Sequence, residues 1–179
     1  APAIVIEKGS QILAEGTADM PITMTTILAE DKLDDPTVVV TDSTTTAKPL
    51  GKAGKWGGLI LLGKAPTSAA MTATVEGIVG KTYGGTDPSD SSGVLRYVRV
   101  WHGGAVIGAD NEINGITFAG VGSGTVVDHC EVAFNADDGF EFFGGTVNVK
   151  YLSVLFVGDD SFDTDEGYQG KGQFLFTML

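Results

Sequence analysis

The sequence has little of three features that define common protein classes. Cys130 is the only cysteine among 179 residues, so no intrachain disulfide can form and a disulfide-framed fold is excluded. No apolar run reaches the roughly 18 residues that a membrane-spanning helix needs, and the longest candidate, 59–62, has the length of a strand. Only 11 basic residues oppose 23 acidic ones, and the net charge of −12 argues against nucleic acid as a partner.

The acidic residues are concentrated in one stretch of the chain. Between Asp110 and Glu166 there are twelve acids and one base, Lys150, whereas the rest of the chain is nearly balanced. Such a concentration of negative charge attracts cations. The alternative is a solubilising surface of a secreted or salt-exposed protein, and composition leaves both interpretations open.

Glycine and short β-type runs are abundant. The 26 glycines suit a fold with many tight turns. Val, Ile, Phe, Thr and Leu alternate in short runs, which predicts strands, and no segment keeps a helical period for twelve residues. One helical turn is expected within 27–35, and loops are expected at 41–54, 63–74 and 83–93. The predicted strands are 4–6, 11–14, 21–25, 37–41, 59–62, 95–101, 113–118, 126–134, 140–143, 147–156 and 173–176.

Two segments repeat each other at an offset of 22 residues. The identical pairs are Val127/Val149, Val132/Val154, Phe134/Phe156, Asp137/Asp159, Asp138/Asp160 and Phe140/Phe162. A period of this length with alternating apolar residues is typical of a coiled parallel sheet, one coil per repeat, whereas a hairpin sandwich does not require it. We predict an all-β fold, a right-handed parallel β-helix that forms a single domain over 1–179, with coils of about 22 residues in the C-terminal half and loop excursions. Phe134 over Phe156 and Phe140 over Phe162 are expected to be interior stacks.

The same offset places carboxylates over carboxylates, including Glu141 over Asp163. Like charges on neighbouring coils about 4.8 Å apart raise each other's pKa and destabilise the coil. Ca²⁺, with oxygen ligands at about 2.3–2.6 Å, can bridge carboxylates from two coils, although no EF-hand or RTX loop is present. The alternative is that these side chains cap turns by accepting backbone N–H groups. With Ca²⁺ as the candidate cofactor, the candidate metal ligands are Asp137, Asp138, Asp159, Asp160, Asp163 and Asp165.

A set of motifs over nearly the whole chain resembles a family of bacterial, largely marine, secreted or lipid-anchored surface proteins. The resemblance implies a pectin-lyase-like right-handed parallel β-helix, an extracellular or cell-surface location and, for most members, no assigned activity. It carries no catalytic residue over to this chain. The motifs are Gly54-Lys-Trp-Gly-Gly-Leu-Ile-Leu-Leu-Gly-Lys-Ala-Pro66, Tyr83-Gly-Gly-Thr-Asp87, Ser92-Gly-Val-Leu-Arg-Tyr-Val-Arg99, Asn111-Glu-Ile-Asn-Gly-Ile-Thr117, Gly120-Val-Gly-Ser-Gly-Thr125, Asp137-Asp-Gly-Phe-Glu-Phe-Phe-Gly-Gly-Thr146 and Asp159-Asp-Ser-Phe-Asp-Thr-Asp165.

Catalysis is a second hypothesis that the resemblance raises. Pectin-lyase-like β-helices include polysaccharide lyases, which use Ca²⁺ with an Arg or Lys base, and polygalacturonases with a Gly-Asp-Asp triplet that 158–160 resembles. An inverting hydrolase needs two carboxyl groups about 6.5–9.5 Å apart, and stacked Asp pairs are compatible with that. The hydrolases also use a downstream His and a basic motif, but only Lys171 follows the acidic region. Arg96 and Arg99 are the bases available to a lyase, although their alternation with Tyr97 and Val98 more simply predicts an outward-facing row.

Aromatic residues suggest sugar binding without chemistry. Trp101, Tyr151 and Tyr168 are the candidate ligand-binding residues, because aromatic rings beside carboxylates suit pyranose surfaces. Trp56 lies next to two glycines and is instead predicted to pack under a turn.

Cysteine and histidine offer no obvious site. Cys130 aligns with Leu152 at a core position of the repeat, which predicts a buried, inert thiol. His102 and His129 fall on different coils without a third partner, which argues against a zinc site.

Strand patterns at 4–6 and 173–176 predict open coil ends, because no amphipathic capping helix accompanies them. An uncapped solenoid exposes unpaired N–H and C=O groups, so we expect either a piece of a longer surface protein or a subunit that assembles end to end into a fibre. The expected partners are other β-helix chains and extracellular polysaccharide. The sequence thus predicts an extracellular structural, adhesive or glycan-contacting surface module stabilised by Ca²⁺, and the alternative is a polysaccharide lyase or hydrolase.

Overall fold

The computed structural model describes residues 2–33, 52–70, 73–75, 78, 80–108 and 111–179, and these residues are mostly strands and turns. A 3-10 helix at Glu30–Lys32 falls within the segment where one helical turn was predicted. The strands are β1 (Ile4–Ile6), β2 (Ile12–Glu15), β3 (Ile22–Met24), β4 (Leu59–Leu62), β5 (Gly93–Arg96), β6 (Val98–Trp101), β7 (Val106–Gly108), β8 (Asn111–Glu112), β9 (Ile116–Ala119), β10 (Val126–Asp128), β11 (Glu131–Ala133), β12 (Phe140–Phe143), β13 (Asn148–Leu155), β14 (Phe162–Asp165) and β15 (Gly172–Met178).

Strands from successive coils form two parallel sheets. Sheet A has the order β1-β4-β9-β12-β14, and sheet B contains β2-β5-β10 and β3-β6-β11, which join on β13. β15 pairs with β13 along most of its length. Every pairing in these two sheets is parallel. In the described part of the chain, antiparallel pairing occurs in the excursions, between β7 and β8 and at the isolated bridge between Thr74 and Thr82. The predicted parallel β-helix is therefore confirmed, because a hairpin sandwich would be built from antiparallel pairs.

The strand register confirms the 22-residue offset in the C-terminal half. Val127 pairs with Val149, Val132 with Val154, and Phe140 with Phe162. The offset is not constant, because Ile116 pairs with Phe140 and Val149 with Gly172. The earlier coils are longer, because 34 residues separate the end of β3 at Met24 from the start of β4 at Leu59, and 30 separate the end of β4 at Leu62 from the start of β5 at Gly93.

The coils from β5 onward bend through residues in the left-handed backbone region. Between the two halves of sheet B this residue is Tyr97, His129, Tyr151 or Phe174, with φ between 50° and 59°. This conformation is unfavourable by about 1–2 kcal/mol for a residue with a bulky side chain. The four rings stack at centroid distances of 4.5, 4.5 and 4.7 Å. Each stacked pair stabilises the corner by about 0.5–1.5 kcal/mol, which offsets part of the backbone cost. We call these four residues the corner stack.

The corner residues also divide segments that were predicted as single strands. The segment 126–134 is two strands, β10 and β11, because His129 turns the chain between them. Tyr97 divides 95–101 into β5 and β6 in the same way. The predicted strand 37–41 and most of the predicted loop 41–54 lie outside the described residues.

One of the two predicted interior phenylalanine stacks is wrong. Phe140 and Phe162 do stack within the coil, 5.6 Å apart, and Phe140 is fully buried. Phe134 and Phe156 also stack, at 5.4 Å, but both have positive φ at a second corner, and Phe156 is 46% exposed. They lie at an outer corner because the left-handed bend turns their side chains away from the core.

The described residues form two hydrophobic clusters. The larger one fills the coil interior and includes Leu61, Phe118 and Phe142. The smaller one covers the outer face of sheet A, where Ile60 and Leu62 pack against excursion residues that include Tyr83. The excursions therefore act as a cover over sheet A in the earlier coils.

The outermost strand of the described coils is β15, and all seven of its residues are exposed. Phe174, Leu175, Phe176 and Met178 expose between 44% and 63% of their surface. The predicted association through coil ends stays a prediction.

Candidate functional site

Polar side chains line up where the chain enters sheet A. The N–H of Gly115 donates to Asp138 O, and that of Gly139 donates to Asp160 O. Together with the register of the following strands, these bonds place Asn114, Asp138 and Asp160 at one position on three successive coils. Three residues later, Thr117, Glu141 and Asp163 share the next outward position.

Four of the six predicted metal ligands meet in two overlapping groups. One oxygen each of Asp138, Glu141 and Asp163 lies within 4.8 Å of the others, and we call these three residues the acidic cluster. Asp137, Asp138 and Asp159 form a second group with the same limit. Asp138 belongs to both groups.

The other two predicted ligands belong to neither group. Asp160 donates its backbone N–H to Asp138 Oδ1 at 2.8 Å. Asp165 lies at the end of β14 and accepts the N–H of Glu166 at 2.6 Å. These carboxylates therefore do accept backbone N–H groups: Asp138 accepts one from the next coil, and Asp163 and Asp165 each accept that of the following residue.

The pKa of Asp138 shows that negative charge is costly in this region. Burial raises this pKa to about 6, although the hydrogen bond from the Asp160 backbone opposes the increase. The charges of Asp163, Asp159 and Asp160 raise it further. A positive charge at this position would relieve the repulsion among the carboxylates.

Two residues of these aligned sets, Asn114 beside Asp138 and Glu141 beside Asp163, were not among the predicted ligands. Glu141 is 6% exposed and Asn114 only 3%. Asn114 Nδ2 donates to Glu141 Oε2. Their signal in the sequence is the shared spacing of Asn114-Gly-Ile-Thr, Asp138-Gly-Phe-Glu and Asp160-Ser-Phe-Asp.

A second candidate site is a groove beside the corner stack. It has a volume of about 330 Å³ and is lined by the four corner rings together with Arg99, Glu131 and Ser153. These three residues occupy one outward position on neighbouring strands, because Glu131 pairs with both Arg99 and Ser153. Tyr151 is 44% exposed and Phe174 63%. The groove thus runs across several coils.

The three predicted ligand-binding residues do not lie together. Tyr151 lines the groove. Trp101 adjoins it, because Trp101 Nε1 donates to Glu131 Oε1 at 2.8 Å and the Arg99 guanidinium lies 5.7 Å from its ring. Tyr168 lies elsewhere: its hydroxyl donates to Val147 O at 2.7 Å and its ring packs against Phe142.

Two packing predictions are confirmed. Trp56 is 8% exposed, and its Nε1 donates to Trp101 O at 2.7 Å. Cys130 is 1% exposed, and burial raises the pKa of its thiol to about 12, so the thiolate required for reactivity is scarce.

The outward position of Arg96 is also confirmed, and this side chain forms an ion pair. Arg96 Nε lies 3.1 Å from Asp128 Oδ2, and His129 Nδ1 lies 2.9 Å from Asp128 Oδ1. Burial tends to raise the pKa of Asp128, but the hydrogen bonds from His129 and Arg96 outweigh burial and lower it. Asp128 therefore contacts both Arg96 and the His129 ring of the corner stack.

We expect Asp128→Asn to lower stability at pH 7 by about 1 kcal/mol, the value of a partly exposed ion pair. A carboxyl group with a lowered folded-state pKa stabilises the protein above its unfolded pKa of about 3.9, and the contribution disappears as the pH falls through the lower folded-state value. Urea unfolding at pH 7 and near pH 3 measures this. An equal cost at both pH values would contradict the prediction.

The fold and the two sites together define a parallel β-helix protein with an acidic position on one sheet and a grooved corner on the other. A family model described as a pectate-lyase-like beta helix domain matches residues 26–178. The chain therefore belongs to this family, and the predicted pectin-lyase-like resemblance is confirmed. This membership fits a carbohydrate-related or surface module. Comparisons with curated proteins and with solved structures found no match.

No helix in the part of the chain that the structure describes is long and apolar enough to cross a membrane.

Proposed function

We propose that the chain is an extracellular, non-catalytic surface module that holds a neutral polysaccharide along the groove beside the corner stack. The observation that carries this proposal is the arrangement of one ring per coil, over four coils, next to the polar row of Arg99, Glu131 and Ser153. Membership of a pectate-lyase-like family supports a carbohydrate-related role.

The groove has the mixed chemistry that a sugar polymer requires. Pyranose rings present hydroxyl groups at their edges and C–H groups on their faces. Arg99 supplies donors, Glu131 supplies acceptors, and the hydroxyls of Ser153 and the corner tyrosines supply both. The corner rings cover each other's faces, so ring edges provide most of the apolar surface. Because the same elements recur on each coil, a polymer with repeating hydroxyl groups can be held at several points.

Electrostatics favours a neutral polymer over an acidic one. The chain has a net charge of −12, and Glu131 lies in the groove itself. A polyanionic polysaccharide would be repelled on approach. Arg99 also has Trp101 beside it, which places part of the guanidinium over an aromatic ring.

We expect Arg99→Gln to weaken polysaccharide binding by about tenfold or more, the loss typical of a hydrogen bond to a charged group. Arg96→Gln is the matched control, because Arg96 is also outward-facing but pairs with Asp128 and Glu15 instead of lining the groove. The control should bind within about twofold of the unaltered protein. Affinity electrophoresis in gels with soluble glucans, mannans or xylans measures both.

Two results would contradict the proposal. The first is that none of these polysaccharides retards the unaltered protein. The second is that both arginine variants lose binding equally, which would indicate a general effect of charge.

Release of reducing ends or unsaturated uronates in the same incubations would favour the enzymatic alternative. For the pair of Asp138 and Asp159 the geometry argues against an inverting hydrolase, because one oxygen of each lies within 4.8 Å of the other. Inverting enzymes separate their carboxyl groups by about 6.5–9.5 Å to leave room for water. If the chain turned over a polysaccharide and Asp159→Asn abolished that turnover, the chain would be an enzyme and the proposed function would be wrong.

A further inference from the structure

Strand β15 has an open edge that is suited to pair with a further strand. β15 pairs with β13 on one side, and no described strand lies on its other side. The N–H of the corner residue Tyr97 donates to Asp128 O on the next coil. The N–H of His129 donates in the same way to Lys150 O. Phe174 is the last corner residue of this row, so its N–H is directed to the open edge, which is a template for another strand.

The first described coil, formed by β1, β2 and β3, leaves the opposite edge open. Each of these strands pairs with one described strand, namely β4, β5 and β6. The side chains of Ile22 and Met24 point into the coil, because their partners Val98 and Val100 are fully buried. Ile22 and Met24 are themselves only half-buried. The two ends of the solenoid therefore present complementary backbone edges.

The interior columns of the two edges match. The strand register defines three columns of inward-pointing residues that run through the whole of sheet B. A second copy, shifted along the coil axis by the height of five coils, would place the first member of each column over the last member of the copy below. No charged side chain enters these contacts, which are Ala14 over Gly172, Ile22 over Leu175 and Met24 over Thr177.

An apolar projection at one end fits an apolar hollow at the other. Met178 and Leu179, at the end of β15, are 47% and 82% exposed. One step further along the same register, they would meet the segment 25–27 of the second copy. That segment lines a hollow of about 590 Å³ together with Ile4 and Trp56. Filling the hollow removes apolar surface of both copies from water, which favours association.

The corner stack also continues across such a junction. Phe174 packs one face of its ring on Tyr151 and is 63% exposed. Pro21, on the first coil, lines the other end of the groove that the corner rings form. A second copy would bring its Pro21 to the open face of Phe174, so that the groove would run from one copy into the next.

We propose that copies of this chain stack head to tail, with β15 of one copy paired parallel to β2 and β3 of the next. The junction continues the coil-to-coil contact that already joins successive coils inside the chain. Because the two contacting surfaces differ, the contact does not close on itself and the product is an open fibre. The assembly does not depend on the proposed polysaccharide binding.

A head-to-tail contact fits the two edges better than a two-fold contact between two β15 strands. Strands that are paired across a two-fold axis run antiparallel, whereas every pairing in sheets A and B is parallel. Antiparallel pairing reverses the order of the interior columns, so they could not all continue into the partner. The hollow on the first coil would also stay unfilled.

The test begins with sedimentation velocity of the unaltered protein over a range of concentrations. We expect particles that grow beyond a dimer. Association should strengthen about tenfold or more between about 0.1 M and about 1 M NaCl, because each copy has a net charge of −12 and the screening length falls from about 10 Å to about 3 Å. Fibre diffraction should show an axial repeat of about 24 Å, which is five coils at about 4.8 Å each.

Two variants each block one edge. Thr177→Glu places a charge in an interior column at β15, and Met24→Glu does so at β3. Each variant alone should stay monomeric, because an inward-pointing charge prevents the addition of a strand. An equimolar mixture of the two should form dimers and nothing larger, because each variant retains one unaltered edge.

Thr86→Glu is the matched control for Thr177→Glu. Thr86 is exposed and lies in the excursion between β4 and β5, so the substitution adds the same charge on neither edge. This variant should associate within about twofold of the unaltered protein, as is usual for an exposed substitution. Circular dichroism melting checks that all three variants fold, and the concentration series of the unaltered protein decides the proposal even where a variant does not.

Three results would overturn the proposal. The first is an unaltered protein that stays monomeric at high concentration and high salt. The second is growth that stops at a dimer which Met24→Glu leaves intact, because this would indicate a two-fold contact between β15 strands. The third is equal weakening by Thr177→Glu and Thr86→Glu, which would indicate a general effect of charge.

Discussion

Phe140→Ala is expected to lower the free energy of unfolding by about 3–5 kcal/mol, the usual cost of deleting a buried phenylalanine ring. Phe140 is fully buried, belongs to the cluster inside the coil and stacks on Phe162. The surrounding strands are hydrogen-bonded on both sides of β12 and cannot collapse into the cavity. The melting temperature should fall by roughly 2–4 °C per kcal/mol for a chain of this size.

Phe156→Ala is the matched control for that prediction. Phe156 also stacks on a phenylalanine of the neighbouring coil, but it lies at a corner and is 46% exposed. Its replacement should cost about 0.5–1.5 kcal/mol, the value of the lost ring pair. Urea unfolding of both variants measures the difference. Equal costs would show that corner and interior stacks contribute alike and would contradict the distinction drawn here.

Gly93→Ala is expected to be more damaging still, with a loss above about 4 kcal/mol, which amounts to loss of the folded state in a marginally stable chain. Gly93 has φ +108°, and a Cβ there would lie 1.9 Å from Ile12 O. Ile12 pairs with Gly93 in sheet B, so neither backbone can retreat without separating β2 from β5. Circular dichroism melting and hydrogen exchange at 4–24 would show the damage.

Gly80→Ala controls for the backbone conformation alone. Gly80 also has a positive φ, +77°, but a Cβ there would meet nothing within 4 Å. Only the left-handed conformation is penalised, by about 1–2 kcal/mol. If Gly93→Ala and Gly80→Ala were equally destabilising, the close approach of β2 and β5 would not be the cause.

The sequence predicts the coil but not the direction in which each repeated side chain points. Identity across 22 residues marks both Phe140 and Phe134, because a solenoid repeats its corners as faithfully as its interior. The corners themselves are hard to recognise, since left-handed positions usually favour Gly or Asn and here they are occupied by Tyr97, His129 and Tyr151. Whether a repeated side chain points inward or outward at a corner depends on the backbone conformation, which the alternating pattern does not predict.

The acidic position was predicted more successfully than the groove. The 22-residue offset is sufficient to align Asp138 with Asp160 and Glu141 with Asp163. The 22-residue offset does not align Asn114 with Asp138, because Ile116 pairs with Phe140 and the offset between these two coils is therefore 24 residues. The groove depends on an outward row that includes Arg99 and on a corner beside that row. The alternation around Arg99 predicts the outward row, but the corner at Tyr97 is not visible in a strand pattern.

The unequal coil lengths also bear on the order in which the protein folds. Ala14 in β2 pairs with Leu95, which is far away in the sequence, whereas Val127 in β10 pairs with Val149 of the next coil. Closing the longer loop costs about 1 kcal/mol more in chain entropy, and distant pairings form more slowly than local ones. The C-terminal coils can therefore nucleate the solenoid, and the first coil docks on them last. On a ribosome, the strands that emerge first would wait unpaired until later coils provide the edge that they join.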